Sequence, residues 1–417
     1  MKVLYSIIRG LKGSSYIFLF QSLSILLALA LSALVARWGG VTAKGQFDLF
    51  TLWCSLVQDI GFLGLGSGLL AVYTIKKVKM SEIHGTGIFL SLLMGGFVAL
   101  VGFLLRPLWL PLFSGISPLY LYLVLILSPL LFYRLVWINL ALGIGKARWI
   151  HLYSFILNLL AVIILFILYS NFKFELKWAL YFFLGTLILG APFYFYHLQS
   201  TDHCRPRVSL QVGQKAFRNG IVIYFGFAFN ILHFKIDQFM INSVLGTEAL
   251  SFYALAARLG EGLFLIENAV VATYWAQIIN PGSHLNTKLF WKVSFLQGAI
   301  NLCAVAALYI LGPWIMISFW GPEFSASYPA FCWLLPGIFI WSFSKLFANL
   351  LTYKFNFSWA VSLFTGLGLL LNLGLNYLML YKFNQGIQGV AIASSISYSI
   401  TAMAIGIFAV IVLHRLK

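Results

Sequence analysis

The chain has 417 residues, of which 61% are hydrophobic and only 9% are charged. This excludes a soluble globular protein, since soluble domains are roughly half apolar and about a quarter charged. The formal net charge of +17 does not indicate a nucleic-acid partner, because the basic residues stand at the ends of apolar runs rather than on one basic face.

Apolar runs of about 20 residues recur along the chain, and each is long enough to cross a hydrocarbon core of roughly 30 Å. The sequence therefore predicts an all-α integral membrane protein with twelve transmembrane helices. The first follows Lys2, Arg9 and Lys12 and is longer than the core of a signal peptide, so it is predicted to be a retained span. Spans 1 to 12 run at about 15–36, 47–72, 84–106, 117–143, 149–169, 176–198, 219–244, 249–276, 289–312, 329–353, 359–380 and 388–413.

The lysines and arginines outside the spans predict the orientation in the membrane. With these spans, 17 of them fall on the side that holds both termini and six fall on the other side. Short cytoplasmic loops carry the excess of positive charge in membrane proteins. Both termini are therefore predicted to be cytoplasmic.

Two sequence landmarks occur once in each half of the chain. GGVTAKGQFDLF, with Gly40, resembles LGTEALSFYAL, with Gly246, at an offset of 206 residues. SPLLFYRLVWI, with Pro129, resembles LPGIFIWSFSK, with Pro336, at an offset of 207. A duplicated unit with an even number of spans gives parallel repeats. The prediction is two six-helix lobes, residues 1–206 and 207–417, around a central cavity.

The connection between the halves is the longest and is basic. Its stretch RPRVSLQVGQKAFR, which starts at Arg205, carries four cations and no acid. Apolar residues between the charges predict a short helix at the membrane interface, with Val208, Val212 and Phe217 facing lipid.

Eight ionisable residues lie inside the predicted spans. A single charge at mid-bilayer costs roughly 2.5–3.5 kcal/mol, so eight facing lipid would cost on the order of 20 kcal/mol. That exceeds the stability of a typical domain, and these side chains must pair with one another or line water. They are the cations Arg134, Lys235, Arg258 and Lys345 and the acids Asp59, Asp237, Glu261 and Glu267.

Four of these residues lie on the two helices joined at Thr247 and Glu248. Asp237 and Arg258 are about equally distant from that turn, and Lys235 and Glu261 nearly match in depth, at roughly 1.5 Å per residue. Two interpretations stay open. One is a structural ion-pair cluster, and the other is the polar wall of a transport cavity that attracts an anion and a coupling proton.

Arg134 and Lys345 stand on the equivalent spans 4 and 10, without an acid close to them in sequence. An anion-facing role is favoured for both, and snorkelling to the interface is the alternative. Asp59 and Glu267 are isolated acids in apolar spans. Each could carry a coupling proton or act as a hydrogen-bonded structural acid.

Several stretches together resemble one transporter family. FKIDQFMINSVLGTEALSFYALAARLGE is similar to the region of spans 7 and 8 in the polysaccharide flippases of the multidrug/oligosaccharidyl-lipid/polysaccharide exporter superfamily. LLPGIFIWSFSKLFANLLTYKF resembles their span 10, and GIQGVAIASSISYSI resembles the start of their last span. The resemblance extends over most of the chain and points to the Wzx type of O-antigen flippase.

The resemblance implies a transporter rather than an enzyme, without cofactor or metal. Such flippases move undecaprenyl-diphosphate-linked oligosaccharide repeat units across the inner membrane by alternating access. The implied partners are this lipid-linked substrate, membrane lipid, a polysaccharide polymerase and a chain-length regulator. A cationic lumen of Arg134, Lys235, Arg258 and Lys345 would suit the diphosphate. The alternatives are a multidrug or cation antiporter of the same superfamily and a membrane ligase or glycosyltransferase.

Overall fold

The computed structural model describes residues 2–76, 78–144, 146–191, 205–278 and 285–415. Within these ranges the secondary structure is helical and no β-strand is present. This confirms the predicted all-α class. Large apolar side chains such as Leu108, Leu210 and Phe295 stay exposed along the helices, as expected where the surrounding medium is lipid rather than water.

The first compact unit comprises residues 1–111 and 115–224. Its helices supply the predicted spans 1 to 6, and it also contains the beginning of the helix that forms span 7. A short 3₁₀ turn, Leu110–Phe113, follows the third span. The helices are Lys2–Gly61, Leu65–Lys76, Met80–Leu104, Arg106–Trp109, Pro118–Ile126, Ser128–Gly143, Ala147–Asn171 and Leu176–Ile188.

The second unit comprises residues 112–114 and 225–417. The chain enters it within the long helix Leu210–Glu261. The three residues Leu112–Ser114 belong to this unit because Asn242 donates hydrogen bonds to the carbonyl oxygens of Leu112 and Ser114, at 2.9 and 3.2 Å. The further helices are Phe264–Ile278, Thr287–Trp320, Tyr328–Trp341, Ser344–Asn349, Ser358–Tyr377 and Gly386–Arg415, with π-helical turns at Leu350–Lys354 and Leu378–Lys382.

Length and hydropathy alone identify eight helices in the described ranges that could cross a membrane, or nine when the bent pair Pro118–Ile126 and Ser128–Ala141 counts as one. Two of these helices, Lys2–Gly61 and Leu210–Glu261, each join two predicted spans across a glycine. The shorter apolar helix Leu176–Ile188 is the described part of span 6. Twelve spanning segments, six from each half of the sequence, result.

The two joined helices share one local conformation. Gly40 has φ 74° and ψ −173°, and Gly246 has φ 84° and ψ 178°. Only glycine adopts this region of backbone space readily, and no other atom lies within 4 Å of where a Cβ would stand at either residue. Glycine is therefore required by the backbone rather than by packing. The same turn at an offset of 206 residues matches the repeat that the sequence indicated.

Candidate functional site

In the first unit, Arg134 on the helix Ser128–Gly143 contacts span 2. Its Nη1 donates a hydrogen bond to Gln58 Oε1 at 3.1 Å, and the guanidinium is half-buried. Gln58 is itself buried, and its Nε2 donates to the Cys54 carbonyl oxygen at 3.1 Å. That second bond fixes the amide so that its oxygen faces the arginine. A neutral acceptor orients Arg134 without cancelling its charge, and half-buried Asp59 follows Gln58 in sequence.

In the second unit, Lys345 on the helix Ser344–Asn349 contacts span 8. Its Nζ donates to Asn268 Oδ1. The neighbouring residue, Glu267, is 3% exposed and lies close enough to Lys345 to interact with its ammonium and its backbone N–H. Glu267 Oε1 has no hydrogen-bond partner among the described residues. This cation is therefore oriented by an amide and also faces a buried acid.

These two arrangements occupy equivalent places in the repeat. In each unit a cation from the fourth span bonds an amide from the second span, and a carboxylate stands next to that amide in sequence. Asn268 follows Gly246 by 22 residues, whereas Gln58 follows Gly40 by 18. Lys345 follows Pro336 by nine residues, whereas Arg134 follows Pro129 by five. Both partners in the second unit are displaced by four residues, about one helical turn, so the bond between them is kept.

Lys235 and Glu261 form an ion pair in the second unit. Lys235 Nζ lies 3.0 Å from Glu261 Oε1 and 3.2 Å from Oε2, and about a quarter of each side chain is exposed. The two residues lie on either side of the Gly246 turn, at the matching depths that the sequence suggested. Because the acid neutralises the ammonium, Lys235 carries less net charge to an incoming anion than Arg134 does.

Asp237 lies in a separate buried network. Its Oδ2 accepts hydrogen bonds from the Tyr253 hydroxyl and, at 3.2 Å, from Ser394 Oγ, and its Oδ1 accepts the Gln238 backbone N–H at 2.7 Å. These donors are neutral, and Asp237 is 1% exposed. Lys235, which is paired with Glu261, also acts electrostatically on Asp237. A buried carboxylate with neutral hydrogen-bond donors is well placed to take up a proton or small cation, since buried charge is costly.

Span 11 extends this network with amide side chains. Asn372 Nδ2 lies 3.2 Å from Ser394 Oγ and 2.9 Å from Ser397 Oγ, and His233 Nε2 lies 2.9 Å from the same Ser397 oxygen. Asn376 Nδ2 donates to Asn372 Oδ1 at 2.6 Å. All of these side chains are buried. Asn372 and Asn376 are four residues apart and Ser394 and Ser397 are three apart, the spacing at which helical side chains share a face. That spacing is the signal that could have indicated the network.

Arg258 is half-buried in the same helix as Glu261, one turn before it. Of the eight residues selected from the sequence, the structure brings Lys235 to Glu261 and Lys345 to Glu267. It places Arg134 on Gln58 and Asp237 on Tyr253 and Ser394.

A further buried ion pair escaped the sequence analysis. Lys44 falls between the predicted spans 1 and 2, at 15–36 and 47–72. In the structure it is within the helix Lys2–Gly61 and fully buried, and its Nζ contacts the buried Asp48. The two residues are four apart, the spacing at which helical side chains meet. That spacing was the signal that could have identified the pair. The prediction for Lys44 was wrong because the second helix begins directly after Gly40.

Comparisons with solved structures identify the fold. A multidrug resistance MATE family transporter of the MOP superfamily is similar in its inward-facing conformation, with a TM-score of 0.76, 15% identity, and coverage of 94% of this chain and 95% of that chain. The outward-facing conformation of a MATE family transporter gives a TM-score of 0.69 and 16% identity over 97% and 95%.

A MOP superfamily transporter from Pyrococcus furiosus Vc1, described as having a binding pocket of reverse polarity that suggests a different function, has a TM-score of 0.68, 15% identity and the same coverage. No protein-family model and no curated protein sequence matches the chain.

These similarities establish the fold and not the substrate. The chain has the twelve-helix, two-lobe fold of MATE family transporters over almost its full length. It is therefore a multi-pass membrane protein with a transporter fold. At 15–16% identity the neighbours say nothing about which molecule this chain moves.

Proposed function

We propose that this chain is a flippase for lipid-linked oligosaccharides of the Wzx type. It would carry an undecaprenyl-diphosphate-linked repeat unit of a surface polysaccharide across the bacterial inner membrane by alternating access, with both termini cytoplasmic. A polymerase and a chain-length regulator would act on the product. The support is the transporter fold, the sequence resemblance and the chemistry of the intramembrane cations.

The observation that carries the proposal is the cation–amide pair in each unit. Arg134 and Lys345 are oriented by the neutral oxygens of Gln58 and Asn268. A cation in the membrane is costly, and the fold maintains one on the fourth span of each unit, although Glu267 offsets part of the charge of Lys345. A guanidinium binds phosphate oxygens with two parallel hydrogen bonds, whereas an ammonium acts as a point charge. A diphosphate suits both.

We further propose that ion coupling, where transport uses it, runs through Asp237. Directionality needs a ligand that binds two states differently, and a coupling ion at a buried carboxylate supplies that difference. Of the acids selected from the sequence, Glu261 is paired with Lys235, and Asp59 is half-buried. Glu267 is the second candidate because it is buried beside Lys345. Either a proton or a sodium ion fits this chemistry.

The test replaces Arg134, Lys235, Arg258 and Lys345 singly with Ala in a deletion strain and follows surface polysaccharide. We expect loss of polysaccharide with Arg134→Ala at a normal protein level in the membrane, and loss with Lys345→Ala together with a lowered protein level. Full polysaccharide with all four variants would refute the cationic site. Translocation of a fluorescent lipid-linked oligosaccharide in proteoliposomes tests the function directly, and Asp237→Asn should abolish its response to an imposed ion gradient.

A multidrug exporter is the second candidate, because two of the similar solved structures are of multidrug resistance transporters. A lumen that binds cationic drugs favours acids, whereas this chain has as many cations as acids at the selected intramembrane positions. The structure with reverse pocket polarity is a precedent for a different function on this fold. Raised drug resistance in cells that express the chain, without any change in polysaccharide, would favour the exporter. Sugar transfer by the purified protein would favour an enzyme.

A further inference from the structure

The segment at residues 205–218 presents a cationic surface that none of the proposed transport chemistry uses. The side chains of Arg205, Arg207, Lys215 and Arg218 are exposed. No acidic residue occurs in the sequence between Asp202 and Asp237. The neighbouring helix contributes one acid close to this segment. Glu82 is half-buried and directly follows Ser81, whose carbonyl oxygen accepts a hydrogen bond from the Arg207 backbone N–H. The segment therefore has a strong net positive charge.

The first unit holds this segment in place through its backbone. The Arg207 N–H donates to the Ser81 carbonyl oxygen at 2.9 Å, and the Ser209 N–H donates to Thr86 Oγ1 at 3.0 Å. A Cβ at Gly85 would overlap the backbone of Arg207. Ser209 then caps the helix by accepting the Val212 N–H at 3.4 Å. The cations are thus carried on an anchored backbone with their side chains directed outward.

The helix that follows separates three kinds of surface. Val212 and Ala216 are buried against the first unit, which corrects the prediction that Val212 faces lipid. Leu210 and Phe217 are exposed at 74% and 45%. At 100° per residue, Lys215 and Arg218 lie on the remaining face. The predicted span 7 begins at about residue 219, so the preceding part of the helix lies at the edge of the hydrocarbon core, with apolar side chains beside cations.

We propose that the segment 205–218 binds the anionic phospholipids of the cytoplasmic leaflet. The apolar side chains enter the acyl boundary while Arg207, Lys215 and Arg218 contact phosphate headgroups. Clusters of basic residues next to a transmembrane helix attract anionic lipid within a Debye length of the surface. The choice of lipid over an acidic protein rests on the exposed Val208, Leu210 and Phe217, which need an apolar environment. The inference does not depend on which substrate is transported.

Native mass spectrometry of the full-length chain in neutral detergent tests the proposal, with phosphatidylglycerol and phosphatidylcholine as probes. The triple variant Arg207→Gln, Lys215→Gln, Arg218→Gln should bind phosphatidylglycerol roughly a hundredfold more weakly, with phosphatidylcholine unchanged. The matched control neutralises three exposed cations of the opposite side, Arg106, Lys173 and Lys382, and should keep normal binding.

Two further arms keep the experiment decisive. The double variant Arg207→Lys with Arg218→Lys preserves the charge and should retain binding. If the triple variant does not fold, the single Gln variants replace it, and each should give a partial loss of binding. Unchanged phosphatidylglycerol binding in the triple variant, or an equal loss in the control, would overturn the proposal. Displacement of the lipid by millimolar inorganic phosphate would also overturn it, since it would indicate a site for small anions.

Discussion

The two units solve the same problem, holding a cation inside the membrane, with different local chemistry. In the first, Arg134 contacts the neutral amide of Gln58. In the second, Lys345 contacts the amide of Asn268 and also interacts with the buried Glu267. The amide contact is common to both units, and in the second unit Glu267 also interacts with the cation. In both units the amide orients the cation, and in the second unit Glu267 also reduces the net charge of Lys345.

A second difference lies at the start of the second span of each unit. Lys44 and Asp48 form a fully buried ion pair in the first unit. At the offset of 206 residues, the second unit has Leu250 and Ala254, which are also buried. The same backbone turn therefore tolerates either an ion pair or two apolar side chains. The backbone turn itself therefore does not require the ion pair.

The largest expected effect comes from breaking the Lys44–Asp48 pair on one side only. Lys44→Leu leaves Asp48 buried without its ammonium partner, and removal of one member of a buried pair costs about 3–5 kcal/mol. We expect this loss in the free energy of unfolding, measured by chemical denaturation in mixed micelles. Asp48→Ala should also destabilise the protein.

The double variant Lys44→Leu with Asp48→Ala copies the second unit and serves as the control. Replacing a buried ion pair with apolar residues is often neutral or stabilising, so the double variant should recover most of the lost stability. A double variant as unstable as Lys44→Leu alone would show that the two units differ in packing as well as in charge.

Neutralising Arg134 and neutralising Lys345 should have different effects on the amount of protein in the membrane. Hydrogen bonds to charged groups contribute about 1.5–3 kcal/mol, so Arg134→Gln should lower flipping in proteoliposomes roughly ten- to a hundredfold. Its level in the membrane should stay normal, because Arg134 bonds a neutral amide. Lys345→Gln should reduce both flipping and protein level, because it leaves Glu267 buried without its cation.

Adding Glu267→Gln to Lys345→Gln should restore the protein level without restoring flipping. Recovery of flipping in that double variant would mean that the lysine only neutralises the acid and does not bind substrate. This pair of experiments therefore separates the binding role of Lys345 from its interaction with Glu267.

Much of the architecture could be predicted because lipid imposes simple rules on sequence. Long apolar runs indicated the spans, and the repeated glycines indicated the duplication, since the backbone at Gly40 and Gly246 has a conformation that other residues avoid. The charged residues were visible for the same reason: each is costly in lipid. Their partners were not. Gln58 and Asn268 are neutral amides, and only the folded structure shows which cation each of them contacts.

The direction of individual side chains was equally hidden at the interface. The sequence pattern predicts that both Val212 and Phe217 face lipid. In the structure Phe217 is exposed, but Val212 is buried. The burial follows from hydrogen bonds that tie Arg207 and Ser209 to the third span. Such contacts join residues more than a hundred positions apart, and no local pattern predicts them.

Substituting the two repeated glycines should lower the stability of the protein by an intermediate amount, and the same substitution can be made in both units. Gly40→Ala and Gly246→Ala would each force a Cβ into a backbone region that costs about 1–3 kcal/mol for other residues. Space is available at both positions, so the cost should be conformational and nearly equal. Thermal unfolding of the two single variants measures it. Unequal losses would show that one turn is also held by its surroundings.

The smallest expected effect concerns the amides themselves. Gln58→Ala and Asn268→Ala each remove one hydrogen-bond acceptor from a cation that remains present. Orientation by one such bond contributes about 1 kcal/mol, which corresponds to a roughly fivefold fall in flipping. We expect a larger effect at Gln58, because Arg134 has a fixed fork of donors whose direction matters, whereas the Lys345 ammonium can turn toward Glu267.

The variant Gln58→Glu distinguishes the orientation of Arg134 from its charge. It keeps the acceptor and neutralises the arginine, so it should reduce flipping about as far as Arg134→Gln does. A Gln58→Glu variant with normal flipping would mean that the charge of Arg134 is not what the substrate meets.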